Sequence, residues 1–408
     1  MKIAFFSDCY LDLTGGIVTT ISAQKKELER RGHTVYIFSS AYKKSPAETA
    51  KLKTENIFPV KSCRILGRGL TPIAKRPHII EKQILNEHPE IKDFDIFYVH
   101  YEAGCSIAGL RLGKKLNVKT IQVMHGREDI GEQNLVPYGF RTIVATLLNW
   151  FHSWYLPHPI KIKKDNYLAT TKAAIKMWEL MANHASFADF ILTPSEHFKK
   201  KLAHYKVKKS VKTLPNGVLD ECFVPNLEPK TLKPGETLNI IWHSRVSKEK
   251  RIMPFLEALK NVNGNYHLDI YGDGNDLKRA KKYVKGHHLN VHFHGVKPFK
   301  EIYSKIIKSH LDVLTSYNFD NYPMTLVEAE SAGTPALYVD PDLKEVTPTT
   351  GTILTKSPNP KDIANAINDL IAHPEKIEKM SKAMLEHRDE VRVSRIVDKL
   401  ERYISDII

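Results

Sequence analysis

Three stretches of the chain bring together residue types that bind anions and hydroxyls. The first is Gly15-Gly16, which follows a short apolar run, Ile3 to Ser7, and precedes an amphipathic stretch from Ile17 to Arg31. Bare amides at a helix N-terminus, with the helix dipole behind them, favour an anion such as a diphosphate. The pair lacks the spacing of a full G-x-G-x-x-G fingerprint, and a glycine pair at such a turn also serves the turn alone. The second stretch, Trp242-His243-Ser244-Arg245-Val246-Ser247-Lys248-Glu249-Lys250-Arg251, places cations directly after an apolar run. Arg245 and Lys250 can converge on phosphates there, the arginine as a planar fork and the lysine as a point charge. A charged solvent loop has the same composition. The third runs from Asn318 to Pro335. Pro323 suits the first turn of a helix whose leading N–H groups are unpaired, with Asp320 just upstream and Glu328 about a turn and a half in. Two carboxylates so placed on a strand, loop and helix junction can hydrogen-bond two separate sets of sugar hydroxyls.

These residues need elements to hold them. The opening reads as strand, glycine turn and helix, with Gly32 closing the helix and Thr34 to Phe38 forming the next strand. Apolar runs at 96–100, 119–124 and 189–193 alternate with helical periods, as a parallel sheet covered on both faces requires. The pattern restarts at Leu238, with strands expected at 238–242, 267–271, 289–293, 311–315 and 335–339. Between the halves, Leu214-Pro215-Asn216-Gly217 and the stretch from Val224 to Gly235 cluster turn residues and lose periodicity, which marks a hinge. Two open parallel sheets facing one another would bring the carboxyl ends of their strands to a shared cleft, where ligands of such folds bind.

Composition and charge narrow the class. A chain of 408 residues has room for two domains, and 42% hydrophobic with 26% charged residues excludes a disordered or fibrous protein. Residues 1–217 hold 34 Lys and Arg against 19 Asp and Glu, whereas residues 218–408 hold 27 of each, so the whole excess of +15 is N-terminal. The first half therefore faces something anionic, or carries a solvated basic face. Cys9, Cys63, Cys105 and Cys222 are widely spaced, with no C-x-x-C pair and no neighbouring histidine at zinc-ligand spacing, so neither a disulfide framework nor a metal site is indicated. The apolar N-terminal run is too short for a signal-peptide core, and a cytoplasmic location is expected.

Taken together, Gly15-Gly16, His125, Arg245 with Lys250, Tyr271-Gly272-Asp273-Gly274 and the run from Asp320 to Glu328 resemble the family 4 retaining glycosyltransferases. The resemblance spans nearly the whole chain. It implies an α/β chain of two doubly wound Rossmann-like domains facing across a cleft, the GT-B fold. Residues 1–215 would bind the acceptor and residues 218–388 the nucleotide-sugar, with a C-terminal helix at about 389–408 packing back on the first domain. The resemblance assigns His125, Arg245, Lys250 and Asp320 to catalysis. It assigns Gly15, Gly16, Gly272, Tyr322, Met324, Thr325 and Glu328 to the donor, with Glu328 on the ribose hydroxyls and Asp320 on the transferred sugar. Two departures stand out: Asp320 is one methylene shorter than the family's glutamate, and Arg251 stands where a glycine often follows the lysine. No metal and no bound cofactor is implied, and the donor expected is a UDP-sugar. Arg245, Lys250 and helix-terminal amides would stabilise the departing diphosphate electrostatically, with front-face attack by the acceptor hydroxyl.

The acceptor is read from the basic half. Residues 142–160 contain no charged residue but include Asn149, His152, Pro157 and Pro159, so a transmembrane helix is not expected. Trp150 with Trp154 and Phe151 with Tyr155 fall four apart, and Lys161, Lys163 and Lys164 follow, the mix of a segment lying in a membrane interface. A helix docked on its own domain accounts for the same aromatics. Further cations at Arg64, Arg68, Lys75 and Arg76, and from Lys199 to Lys212, would hold the domain on anionic lipid at about 1 kcal/mol each. Residues 142–164 and the basic domain thus point to a peripheral protein on the inner face of the cell membrane, with a lipid or lipid-linked acceptor, similar to bacterial diacylglycerol glucosyltransferases. A soluble sugar or polysaccharide precursor is the alternative acceptor. A catalytically silent homologue and a non-catalytic polyanion binder are the other readings, but nucleic acid is not expected because no aromatic platform interleaves the cations.

Overall fold

The computed structural model describes residues 1–8, 15–40, 51–63, 73–74, 76–130, 136–207 and 209–408. The stretch Leu11–Thr14 before the glycine pair, and Arg64, Arg68, Lys75 and Lys208 of the basic set, lie outside the described residues. The chain divides into two compact units, Met1–Pro215 with Val397–Ile408, and Asn216–Ile396.

The N-terminal unit is built on a seven-stranded parallel sheet. In chain order its strands are β1 (Lys2–Ser7), β2 (Thr34–Ser40), β3 (Ile57–Val60), β6 (Ile96–His100), β7 (Lys119–Val123), β8 (Phe190–Thr193) and β9 (Val211–Thr213). A short antiparallel pair, β4 (Ser62–Cys63) and β5 (Ile73–Ala74), stands outside that sheet. The spatial order is β3-β2-β1-β6-β7-β8-β9, so the winding reverses between β1 and β6. Ile3, Ala4, Phe5 and Phe6 are all buried, the signature of a strand covered on both faces. Helices α1 (Gly16–Arg30), α2 (Pro77–Glu87), α3 (Gly104–Leu116), α4 (Arg141–Ser153), α5 (Lys172–Phe187) and α6 (Glu196–His204) supply that cover. Helix α1 ends in a Schellman turn: Gly32 sits at φ 87, its N–H reaches Glu29 O at 2.9 Å and the His33 N–H reaches Leu28 O at 3.1 Å.

The C-terminal unit repeats the architecture with β10 (Leu238–His243), β11 (Tyr266–Tyr271), β12 (Val291–Gly295), β13 (Leu311–Leu314), β14 (Ala336–Tyr338) and β15 (Thr352–Leu354), all parallel, in the order β12-β11-β10-β13-β14-β15. Its winding reverses between β10 and β13. The helices are α7 (Ile252–Leu259), α8 (Leu277–Gly286), α9 (Phe299–Lys308), α10 (Met324–Ser331), α11 (Pro360–Ala372) and α12 (Glu375–His387). A last helix, α13 (Val393–Ser405), starts in this unit, and from Val397 onward it belongs to the N-terminal one. There Arg31 pairs with Asp398 and Glu401 at 2.6 Å each, and the Tyr403 hydroxyl donates to Thr213 O at 3.2 Å.

Candidate active site

In open α/β sheets ligands bind beyond the carboxyl ends of the strands where the winding reverses. In the C-terminal unit that point lies after β10 and β13, and the loops there carry most of the residues singled out above. Lys250 closes a short turn, Lys248–Lys250, and its ammonium meets both oxygens of Asp320, at 2.7 and 2.8 Å. Both side chains are largely buried. Thr315, just past β13, donates to Lys250 O at 2.8 Å, and the Ser316 hydroxyl donates to Asp320. The ammonium also lies 5.4 Å over the Phe319 ring. The shorter carboxylate at position 320 is thus committed to the lysine. The next residue, Arg251, has φ 55, a conformation that glycine adopts without cost, and its guanidinium donates to Pro358 O at 2.7 Å.

Arg245 is held differently. Its side chain is 65% exposed and its partner is Glu249, at 3.3 Å. The structure brings Lys250 and Asp320 together and pairs Arg245 with a carboxylate of its own loop.

Glu328 lies inside α10, every residue of which is buried. Its carboxylate stands 3.5 Å from His243 Nδ1, while His243 Nε2 meets Asp312 Oδ2 at 2.8 Å. Burial pushes the Glu328 carboxyl up to about 7, opposed by His243 and reinforced by Asp312. Burial also raises Asp312. For His243 burial works downward, but the Asp312 carboxylate outweighs it and raises the imidazole. Thr325 donates to His243 O at 3.4 Å, which ties the start of α10 to the end of β10. Pro323 precedes Met324, the first residue of α10, and offers no capping side chain of its own. Tyr322 is fixed through both ends: Asn216 Nδ2 donates to its carbonyl at 3.0 Å, and its hydroxyl donates to Val346 O at 3.4 Å.

Gly272 has a packing reason to be glycine. Its φ is 128, and a Cβ there would stand 1.9 Å from Ser244 O. The loop after β11 lies directly on the loop after β10, with Ser244 N–H on Tyr271 O at 3.1 Å and Val246 N–H on Asp273 O at 3.0 Å.

The reversal point of the N-terminal unit lies after β1 and β6. Gly15 has extended backbone, φ 173, and no side chain caps the start of α1. Among the described residues, a Cβ on Gly15 would meet nothing within 4 Å. His125, just past β7, shares a hydrogen bond with His100 at 2.8 Å, the rings stacked 5.2 Å apart. Burial pulls His125 down to about 4 and His100 well below the usual histidine range, so this pair is neutral near pH 7.

Several groups at these points carry no motif in the sequence. Asp8 accepts from the N–H groups of Ala103, Cys105 and Ser106 at 3.1, 2.7 and 3.1 Å and so caps α3. Buried Glu102 leaves Oε1 without a partner among the described residues. Burial first, then Glu128 and Asp8, pushes its carboxyl well above the usual range. Tyr101 beside it takes φ 87, outside the comfortable range of a side-chain-bearing residue, and Gln122 Nε2 holds its carbonyl at 2.9 Å. His243 and Asp312 are the corresponding omissions in the C-terminal unit. The signal for Glu102 and Asp312 is a carboxylate inside or just after an apolar strand run, which only strand order turns into a site.

The comparisons with known proteins agree with this architecture. Residues 14–221 match the family Glycosyltransferase Family 4, and residues 224–387 match Glycosyl transferases group 1. Alpha-monoglucosyldiacylglycerol synthase of Streptococcus pneumoniae is 23% identical over 83% of this chain and 70% of its own. Lipopolysaccharide 1,6-galactosyltransferase of Escherichia coli is 30% identical over 39% of this chain and 45% of its own. The Anabaena HepE structure, solved in complex with UDP, superposes over the full length of both chains with a TM-score of 0.66 at 14% identity. With two Rossmann-like parallel-sheet domains and family matches along most of its length, the chain belongs to glycosyltransferase family 4, with the GT-B fold.

Proposed function

We propose that the chain is a retaining hexosyltransferase that takes its sugar from a nucleoside-diphosphate donor, a UDP-sugar in the first instance, and passes it to a lipid or lipid-linked acceptor. The observation that carries the donor half is the constellation after β10 and β13. The buried ammonium of Lys250 supplies positive charge, and Glu328, about a turn into α10, supplies a hydroxyl-binding carboxylate. As the bond from sugar to diphosphate stretches, negative charge grows on the leaving group, and preorganised donors lower the barrier by neutralising it there. Two ammonium hydrogens already point at Asp320, which fixes the lysine in place before any ligand arrives. In this reading Arg245 swings from Glu249 onto the diphosphate and Asp320 holds Lys250 in place for it, while a role for His125 rests on the family resemblance. The assignment of Gly15 and Gly16 to the donor rests on the family resemblance. The names of the relatives support the choice: the Anabaena structure holds UDP and the pneumococcal enzyme is a glucolipid synthase.

The acceptor half rests on helix α4, which is inside out. Its buried residues include Asn149 and His152, whereas Ile143, Leu147, Trp150 and Trp154 are 54–56% exposed. Asn149 bonds to Lys176 O and Glu179 on α5, and His152 to His184, so polar contacts seat the helix and apolar side chains face out. Exposed Lys161, Lys163 and Lys164 follow. A contiguous apolar face rimmed by lysines suits an anionic bilayer surface. Among the described residues no helix is long and apolar enough to cross a membrane. The local match to a lipopolysaccharide galactosyltransferase favours a second reading, the same chemistry on a lipopolysaccharide-type acceptor.

The test is a screen of UDP-, GDP- and ADP-sugars with diacylglycerol and monoglucosyl lipid in mixed micelles, read by released nucleoside diphosphate and by the anomeric configuration of the product. Turnover with one donor and retained configuration supports the reading. Inverted product or no turnover with any donor contradicts it.

A further inference from the structure

A group of imidazoles outside the proposed donor site remains unexplained. Strands β11 and β12 run in parallel at the edge of the C-terminal sheet, with Asp269 in register with His292. Alternation sends Leu268 and Ile270 of β11, and Val291 and Phe293 of β12, into the hydrophobic core. It sends His267, Asp269, His292 and His294 to the other face, together. His267 Nε2 lies 3.2 Å from Asp269 Oδ1 and 3.5 Å from His292 Nδ1, and His294 Nε2 lies 2.5 Å from the same Asp269 oxygen. One donor atom from each of His267, Asp269 and His292 falls within 4.8 Å of the other two. All four side chains are partly open to solvent.

We propose that His267, Asp269 and His292, with solvent in the fourth place and His294 holding Asp269 from outside, bind a divalent transition-metal ion of the imidazole-preferring class, with Zn²⁺ as the representative. The spacings fit that ion. Zinc takes four ligands at about 2.0–2.1 Å, and the edge of such a tetrahedron is about 3.4 Å. The separations from His267 to Asp269 and to His292 are already near that edge. Two imidazoles and one carboxylate form a nitrogen-rich set that magnesium and calcium do not favour.

The surroundings orient the ligands. His267 presents Nδ1 to Asn290 Oδ1 at 3.3 Å, and Asn290 is itself fixed by donating to Tyr266 O at 2.8 Å. With its proton on Nδ1, His267 turns Nε2 toward the cluster, the usual way an outer partner sets the tautomer of a metal ligand. The His294 ring stacks on Tyr271, centroids 4.5 Å apart and 11° from parallel. An ion here would clamp the sheet's edge strand to β11, whose end leads into the Gly272 loop. The expectation of no metal rested on cysteine spacing, on histidines near the cysteines and on the family resemblance, none of which reaches this cluster. The motifs here, H-x-D and H-x-H on separate strands, become one site only through the β11–β12 register.

The experiment uses the untagged full chain, stripped with chelator and titrated with Co²⁺ and then Zn²⁺. One equivalent of Co²⁺ is expected to give the strong visible absorption of four-coordinate cobalt, displaced by Zn²⁺, with a thermal midpoint that rises on Zn²⁺ addition and falls back with EDTA. His267→Gln and His292→Gln should each weaken binding at least about tenfold. His287→Gln and His288→Gln, on nearby histidines outside the cluster, should leave it unchanged. Failure of the wild-type chain to bind would overturn the proposal. So would retention of the cobalt spectrum in His267→Gln or His292→Gln, or its loss in the His287 and His288 variants. Circular dichroism separates loss of ligand from loss of fold.

Discussion

Glu328 sits under opposing influences whose outcome has a measurable sign. Its folded-state carboxyl holds a proton up to about pH 7, whereas the unfolded chain releases it near 4.5. Between those values the folded state binds more protons, so the group's contribution to stability is complete below about pH 4.5 and is lost as pH rises through 7. Over the whole window the change is at most roughly 3 kcal/mol. The thermal midpoint of Glu328→Gln should therefore fall less between pH 5 and 8 than that of the unmodified chain; equal slopes would contradict the buried-carboxyl account. Lys250 and Arg245 separate in the same way. Lys250→Ala strips Asp320 of its partner and should lower turnover by about 100-fold or more. Arg245→Ala, at an exposed side chain, should change stability by less than about 0.5 kcal/mol while still lowering turnover. If Arg245→Ala transfers sugar at the normal rate, Arg245 has no place on the diphosphate. Gly272→Ala is a different case: with Ser244 O 1.9 Å from the new Cβ, the two loops must part, and a loss of more than about 2 kcal/mol is expected from denaturant unfolding.

Among the elements, α4 makes the clearest separate prediction. Trp150→Ser with Trp154→Ser should abolish flotation with anionic vesicles and leave the thermal midpoint nearly unchanged, because neither ring is packed into the core. Undiminished flotation would remove α4 from the acceptor proposal. The sequence pattern located this helix by its aromatics but could not say which face was buried. That depended on Asn149 and His152 finding Glu179 and His184 on α5, residues some thirty positions away. The strands were more legible. Runs such as Ile96–His100 and Leu238–His243 are buried on both faces and read as continuous apolar segments, and the structure places strands there. The run expected at 289–293 forms its strand at Val291–Gly295, and the short strands β3, β4, β5, β9 and β15 were not expected, being two to four residues long with too little pattern to read.

For the whole molecule, the pairings that make a site were the least legible, because they join residues brought together by strand order alone. His243 and Asp312 meet because β13 lies beside β10, and His100 meets His125 because β7 lies beside β6. That Lys250, Asp320 and Glu328 are candidates was readable from spacing and family resemblance, whereas the carboxylate and imidazole that surround Glu328 were not. The charge asymmetry is also a property of the whole chain. An N-terminal half bearing the entire +15 excess should bind anionic vesicles with an affinity that drops steeply with salt. Vesicle binding that is independent of salt, or equal on neutral lipid, would contradict that assignment. The central claim is that the C-terminal unit seats a nucleoside diphosphate on Lys250 and Glu328. Calorimetric titration of the full chain with UDP, alongside Lys250→Ala and Glu328→Ala, tests it most directly. One equivalent should bind, and each variant should bind at least about tenfold more weakly with its circular dichroism unchanged, a loss of about 1.4 kcal/mol or more. Equal affinity in all three proteins would show that the diphosphate lies elsewhere.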